Sequence, residues 1–214
     1  MTNGEIFQLI LERLKAEPFL NGFKFRKRDS SFLKQDGDLR QSIELDHWSK
    51  QEGLIIYPIY GVCFEILLKW FEQYSFKSLQ TQRDIPSVDF TGNMLGKKDK
   101  FVITENSIER DYATLRDSLA ECSSIVFSAY TSLKDMYNLE IIPLLEGKKQ
   151  LPDIGADWVF RNLTLTWIVS PNDYERVKEL ILAQVHFMVG RNEPNIIEYM
   201  TRMDEIIANM ESQF

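Results

Sequence analysis

The amino-acid sequence predicts an α+β fold. An antiparallel sheet of about four to six strands, packed with helices, occupies the N-terminal half, and the C-terminal half is helix-rich. Three observations carry this reading. Residues 22–48 alternate apolar and polar side chains, the period of half-buried strands, with turn signals between the runs. From Ser107 onward the period becomes helical. Strands come first and helices later, with no internal repeat or low-complexity linker between them. The 214 residues read as one domain, 1–214. A subdivision, if present, falls near 105, with 1–105 sheet-rich and 106–214 helical.

The elements follow in order. Ile6, Leu9, Ile10 and Leu14 form an apolar stripe on a first helix, with Asn3 as its N-cap and Pro18 stopping it near Ala16. In "GFKFRKR", Phe23 and Phe25 point one way and Lys24, Arg26 and Arg28 the other. "DSS" is a turn and "FLKQ" a short return strand. "DGD" at 36–38 signals a hairpin, because Gly accepts the positive φ such turns need. In "LRQSIELDHW", Leu39, Gln41, Ile43, Leu45 and His47 face one side and Arg40, Ser42, Glu44, Asp46 and Trp48 the other.

"LIIYPIYGVCF" is apolar on both faces, as a central strand is, although Pro58 then calls for an edge position or a bulge. "EILLKWFEQY" reads as a helix with Ile66, Trp70 and Tyr74 on one stripe. Residues 76–106 are ambiguous: "SVDFTG" and "KFVITEN" pair as strands around a polar loop whose Lys97, Lys98 and Lys100 read as a solvated tip.

Beyond this, Ser107 caps a long helix with Ile108, Tyr112, Leu115, Leu119 and Cys122 inward and a bend near Ser123 and Ser124. "LEIIPLLEGKK" is a short helix or turn broken at Pro143. "ADWVFRNLTLTWIV" is ambiguous between strand and helix and is assigned as a buried helix, with Asp157 as its cap. Ser170, Pro171 and Asp173 open a helix whose stripe is Val177, Ile181, Val185 and Met188, with Gly190 as its stop. A final helix with Ile196, Met200, Met203 and Ile207 inward runs antiparallel to it, because the intervening "RNE" is short.

Composition excludes several classes. A hydrophobic content of 44% is enough for a substantial core. No run of 18 apolar residues exists and the N-terminus lacks a signal-peptide pattern, so a cytoplasmic protein is expected. Cys63 and Cys122 lie in apolar surroundings and read as buried free thiols. No phosphate-cradling glycine motif and no nucleophile elbow occurs. His47 and His186, the two histidines, have no metal-ligand spacing, so neither cofactor nor metal is expected. A net charge of −7 repels a phosphate backbone unless cations gather on one face.

One stretch concentrates cations: "FKFRKRDSSFLKQ", where four of the first six residues are Lys or Arg. Read as a ribbon, Lys24, Arg26 and Arg28 share a surface with Glu44 and Asp46 of the neighbouring strand, and opposite charges across strands stabilise a sheet. Only Trp48 adds an aromatic to that face, whereas single-stranded nucleic-acid binding wants several.

The pattern "NGFKFRKRDSSFLKQDGDLRQSIEL" resembles the opening of a family of bacterial α+β proteins, a domain of unknown function. That family has a Gly-Phe pair, a basic residue, an aromatic near the next turn and a strand returning after a polar loop; "LTLTWIVSPNDYERVKELI" is similar too. The resemblance implies an α+β fold, and because the family has no agreed catalytic residues it carries no site over to this chain. By analogy with small acidic bacterial proteins it suggests an immunity or accessory role in a toxin system. With no site motif and a negative net charge, the leading expectation is a non-catalytic, protein-binding protein with a basic partner, using the charged sheet face or an acidic helix surface. Its candidate site is Lys24, Arg26, Arg28, Glu44, Asp46, His47 and Trp48. The alternatives are a small hydrolase using Glu44, Asp46 and His47, with Arg26 as anchor, and a nucleic-acid surface built on Lys24, Arg26 and Arg28.

Overall fold

A computed structural model describes residues 1–69, 85–150, 156–190 and 203–212. Among these, the strands are β1 (Lys24–Arg26), β2 (Ser31–Asp36), β3 (Leu39–Lys50), β4 (Gly53–Phe64), β5 (Val88–Thr91) and β6 (Phe101–Ile103). The helices are α1 (Asn3–Leu14), α2 (Ile66–Lys69), α3 (Ile108–Ala129), α4 (Leu133–Leu145), α5 (Ala156–Val169), α6 (Tyr174–Gly190) and α7 (Met203–Ser212). The fold is α+β, with a six-stranded antiparallel sheet. None of the described helices is long and apolar enough to cross a membrane.

The chain divides into two compact units. The first is Met1–Cys63 with Val88–Tyr130, and the second is Phe64–Ser87 with Thr131–Phe214. The strand-to-helix change near 105 falls inside the first unit, because α3 belongs with the sheet.

In the first unit the strands run in the order β1-β2-β3-β4-β5, with β6 also on β4. Asp36 pairs with Leu39, so the "DGD" hairpin turns on Gly37 and Asp38 alone, with Gly37 at φ 57°. The sequence suggests that β5 and β6 pair with each other, but they do not; both run antiparallel to β4. β6 meets Leu54–Ile56 and β5 meets Ile59–Val62. Two strands running the same way cannot form a hairpin, so they lie end to end on one edge of β4. Pro58 falls in the gap between them. β4 is thus central despite its proline, which faces a break in the neighbouring strand.

One sheet face is the core. Phe32, Ile43, Leu45, Leu54, Ile56, Tyr60, Val62, Phe101 and Ile103 are buried. From the helices come Ile6, Phe7, Ile10 and Leu14 of α1 and Tyr112, Leu115, Leu119, Cys122 and Val126 of α3. α1 is capped by Thr2 and not Asn3. The Thr2 hydroxyl accepts from the Glu5 N–H and the Glu5 carboxylate accepts from the Thr2 N–H, a reciprocal box that serves two helix-end donors. Asn3 instead donates to the Lys50 carbonyl. Ser107 similarly turns back, its hydroxyl accepting from the Thr104 N–H. α3 runs unbroken past Ser123 and Ser124 to Ala129. Arg13 and Glu109 join α1 to α3 through two hydrogen bonds of 2.9 and 2.6 Å.

In the second unit α4 begins at Leu133, capped by Ser132, and continues through Pro143 to Leu145. The sequence places a break at Pro143. The carbonyl that proline leaves unserved belongs to exposed Leu139, where water can take it, so the helix survives. α5 is the buried helix the sequence assigns: Phe160, Arg161, Asn162, Leu163, Thr164, Leu165 and Thr166 are all buried. The Asp157 side chain lies outside the described residues, as do Trp70, Tyr74, Met188, Ile196, Met200 and the "RNE" link. Ser87 accepts from the Phe64 N–H, and Arg161 donates to the Pro86 carbonyl, tying the two ends of the 64–87 excursion. Tyr174 and Lys178, in the first turns of α6, both donate to Glu211 near the end of α7.

Candidate binding face of the sheet

The period of a strand sorts the candidate residues. Arg26 pairs with Ser31, and Ser31 with Glu44, so these three form a row on the outer face, opposite the core. Lys24, Leu33 and Ser42 form the next row. Asp46 and Trp48 continue that face along β3. Trp48 stacks on Tyr57 of β4, with ring centroids 4.9 Å apart and 15° between planes. Asp89 lies opposite Gly61, which shares its side of β4 with Tyr57. Asp46 and Asp89 are exposed, and Trp48 keeps 38% of its surface in solvent.

Arg28 is not on this strand face. The extended run stops at Arg26, and Lys27–Asp29 form a 3₁₀ turn closed by Ser30 in the left-handed region at φ 51°. The turn brings in an acid that the sequence reading passed over. Asp29 receives Arg26 Nε at 2.9 Å and the Ser31 hydroxyl at 2.7 Å, and Arg28 stands 3.9 Å away. Partial burial raises the Asp29 pKa, but the bonds from Arg26 and Ser31 outweigh it and hold the carboxyl below its ordinary value.

His47 is separated from the other candidates. It lies on the inner face, its ring stacked on Phe7 of α1 with centroids 3.7 Å apart, and its Nδ1 hydrogen-bonds the Leu45 carbonyl at 3.0 Å. Glu44 and Asp46 point away from it through the sheet. Among the described residues no group of three or more His, Cys, Asp or Glu gathers closely enough to hold a metal ion.

The outer face is therefore graded. Its β1 side carries Lys24 and Arg26 with Asp29 at their turn. The β3-to-β5 side carries the aromatic stack, with Asp46 and Lys50 on either side of Trp48 along β3 and Glu44 and Asp89 further along the face. Tyr57 and Asp89 are the members that sequence reading missed. β4 is apolar on both faces, so no alternation marks Tyr57, and only the register of β5 places Asp89 on the same face, opposite Gly61 and four residues further along β4. Compared with protein-family models, curated proteins and solved structures, the chain matches none.

Proposed function

We propose that the chain is a non-catalytic binding protein whose outer sheet face docks a basic partner protein. An immunity-like or accessory role is the form of this reading that the family resemblance suggests. The observation that carries it is the Trp48–Tyr57 stack, with Trp48 exposed, Asp46 two residues before it and the Glu44 and Asp89 carboxylates further along the same face. Rigid aromatics anchor protein interfaces at small entropic cost, and an excess of one charge sign around them selects a partner of the other. The net charge of −7 favours the same partner at long range.

The alternatives draw less support. A hydrolase built on Glu44, Asp46 and His47 needs the three around one substrate, and His47 lies on the other side of the sheet under Phe7. A nucleic-acid surface needs its aromatics among its cations, and on the side of the sheet that carries the stack Glu44, Asp46 and Asp89 outnumber Lys50.

The test uses the full chain as bait in lysate of its native host. Three forms are compared: wild type, the double variant Tyr57→Thr/Asp89→Lys, and Gln8→Lys on the far side as a control. A basic protein retained stoichiometrically by wild type and control, and lost with the double variant, is the expected result. Equal retention by all three, or no basic partner at low salt, refutes the proposal. Steeply salt-dependent retention on heparin would point to the nucleic-acid reading instead.

A further inference from the structure

β3 is longer than its neighbour. β2 accompanies it only from Leu39 to Glu44, and the last link on that edge is the Leu45 N–H donating to the Ser30 carbonyl at 3.1 Å. The chain then turns away through Ser30, so Asp46–Lys50 continue with no strand on that side among the described residues. In an antiparallel ladder alternate residues turn their backbone groups to a given edge. Because Leu45 bonds toward the β2 side, His47 and Ser49 present their N–H and C=O groups there too. Asp46, Trp48, Ser49 and Lys50 are exposed. An exposed edge of this kind is a template for another strand.

The side chains specify which strand. Asp46, Trp48 and Lys50 share the outer face, two residues apart. An antiparallel strand that satisfies them must offer a cation opposite Asp46, an aromatic opposite Trp48 and an anion opposite Lys50. Read in its own direction, that strand is Asp-x-Trp-x-Lys, which is this stretch itself. We infer that a second copy of this chain docks here, 46–50 against 46–50, about a two-fold axis at Trp48. Asp46 of each copy then faces Lys50 of the other, and the two Trp48 rings meet at the axis. The pairs His47 with Ser49 exchange backbone hydrogen bonds, four in all. Five positions are open and five residues fill them, because Gln51 and Glu52 turn the incoming chain aside where Ser30 begins. The interface is isologous and self-limiting. It leaves the outer faces of the two sheets side by side, and it does not depend on the partner proposed above.

A ladder of five residues buries little, so the association is expected at the weak end of specific interfaces, with a midpoint on the order of 10–100 µM. Sedimentation equilibrium of the full chain across that range should show the mass rising from the 25.1 kDa chain to twice that value. Ser49→Pro removes an outward N–H without touching the ladder to β4, and should move the midpoint at least about tenfold toward monomer. Asp46→Lys and Lys50→Asp should each do the same, because each sets like charges face to face. Mixed in equal amounts, those two variants should regain the doubled mass, since every facing pair is then opposite in sign. Should Ser49→Pro fail to fold by circular dichroism, the mixing experiment decides alone. Monomer mass throughout, association untouched by these changes, or no rescue on mixing would overturn the inference.

Discussion

The imidazole of His47 lies flat against the ring of Phe7, 16° from parallel, and this contact fixes its role as packing. Its neighbours Ile43 and Leu45 are buried on the same face of β3. His47→Phe should therefore leave stability within about 1 kcal/mol of wild type, because an aromatic of similar size keeps the stack. His47→Ala should cost on the order of 1–2 kcal/mol by urea unfolding, through lost ring contact. If His47→Phe proved as destabilising as His47→Ala, the imidazole nitrogen would carry the contribution and not the stack.

Asp29 makes the opening turn sensitive to acid. Its pKa in the folded chain lies below its ordinary value of 3.8. A carboxyl depressed in this way contributes stability that is fully present above the unfolded value and is lost as pH falls through the folded one. Asp29→Asn should cost about 1 kcal/mol at pH 7, a modest figure because the pair is partly in water. The gap between variant and wild type should shrink as pH is lowered from 5 toward 3. Urea unfolding at several pH values reads this directly. A gap that stays constant or widens in acid would show that the Asp29 charge does not hold the turn.

Much of the sheet could be read from local pattern, and the exceptions have physical causes. The faces of β3 follow from its period of two, which separates Glu44, Asp46 and Trp48 from His47 without any coordinates. The hairpin at Gly37 follows from turn chemistry alone. Arg28 was misplaced because alternation was extended through a segment where the chain had already entered a 3₁₀ turn. The placement of β5 and β6 could not be seen, since pairing to a distant strand leaves no mark in either short segment. Tyr57 was invisible for a related reason: a strand buried on both sides has no polar face to set its phase. Pro143 misled because a proline near a helix end costs little when the carbonyl it deprives faces water.

Asn162 offers a substitution that should strengthen the protein. It is 1% exposed on α5, and among the described residues its Nδ2 has no hydrogen-bond partner. A buried donor without an acceptor carries its full desolvation cost, on the order of 1–3 kcal/mol. Leucine has the same branched side-chain skeleton and no such donor, so Asn162→Leu should raise stability by about 1 kcal/mol and the thermal midpoint by about 2–4 °C. Thr166 supplies the contrast. It is equally buried, but its hydroxyl donates to the Asn162 carbonyl at 2.7 Å, so Thr166→Val removes a satisfied bond and should gain nothing. Thermal unfolding of both variants separates the two cases. A midpoint that falls in Asn162→Leu would mean that the amide is matched in the folded protein, and that the helix needs it.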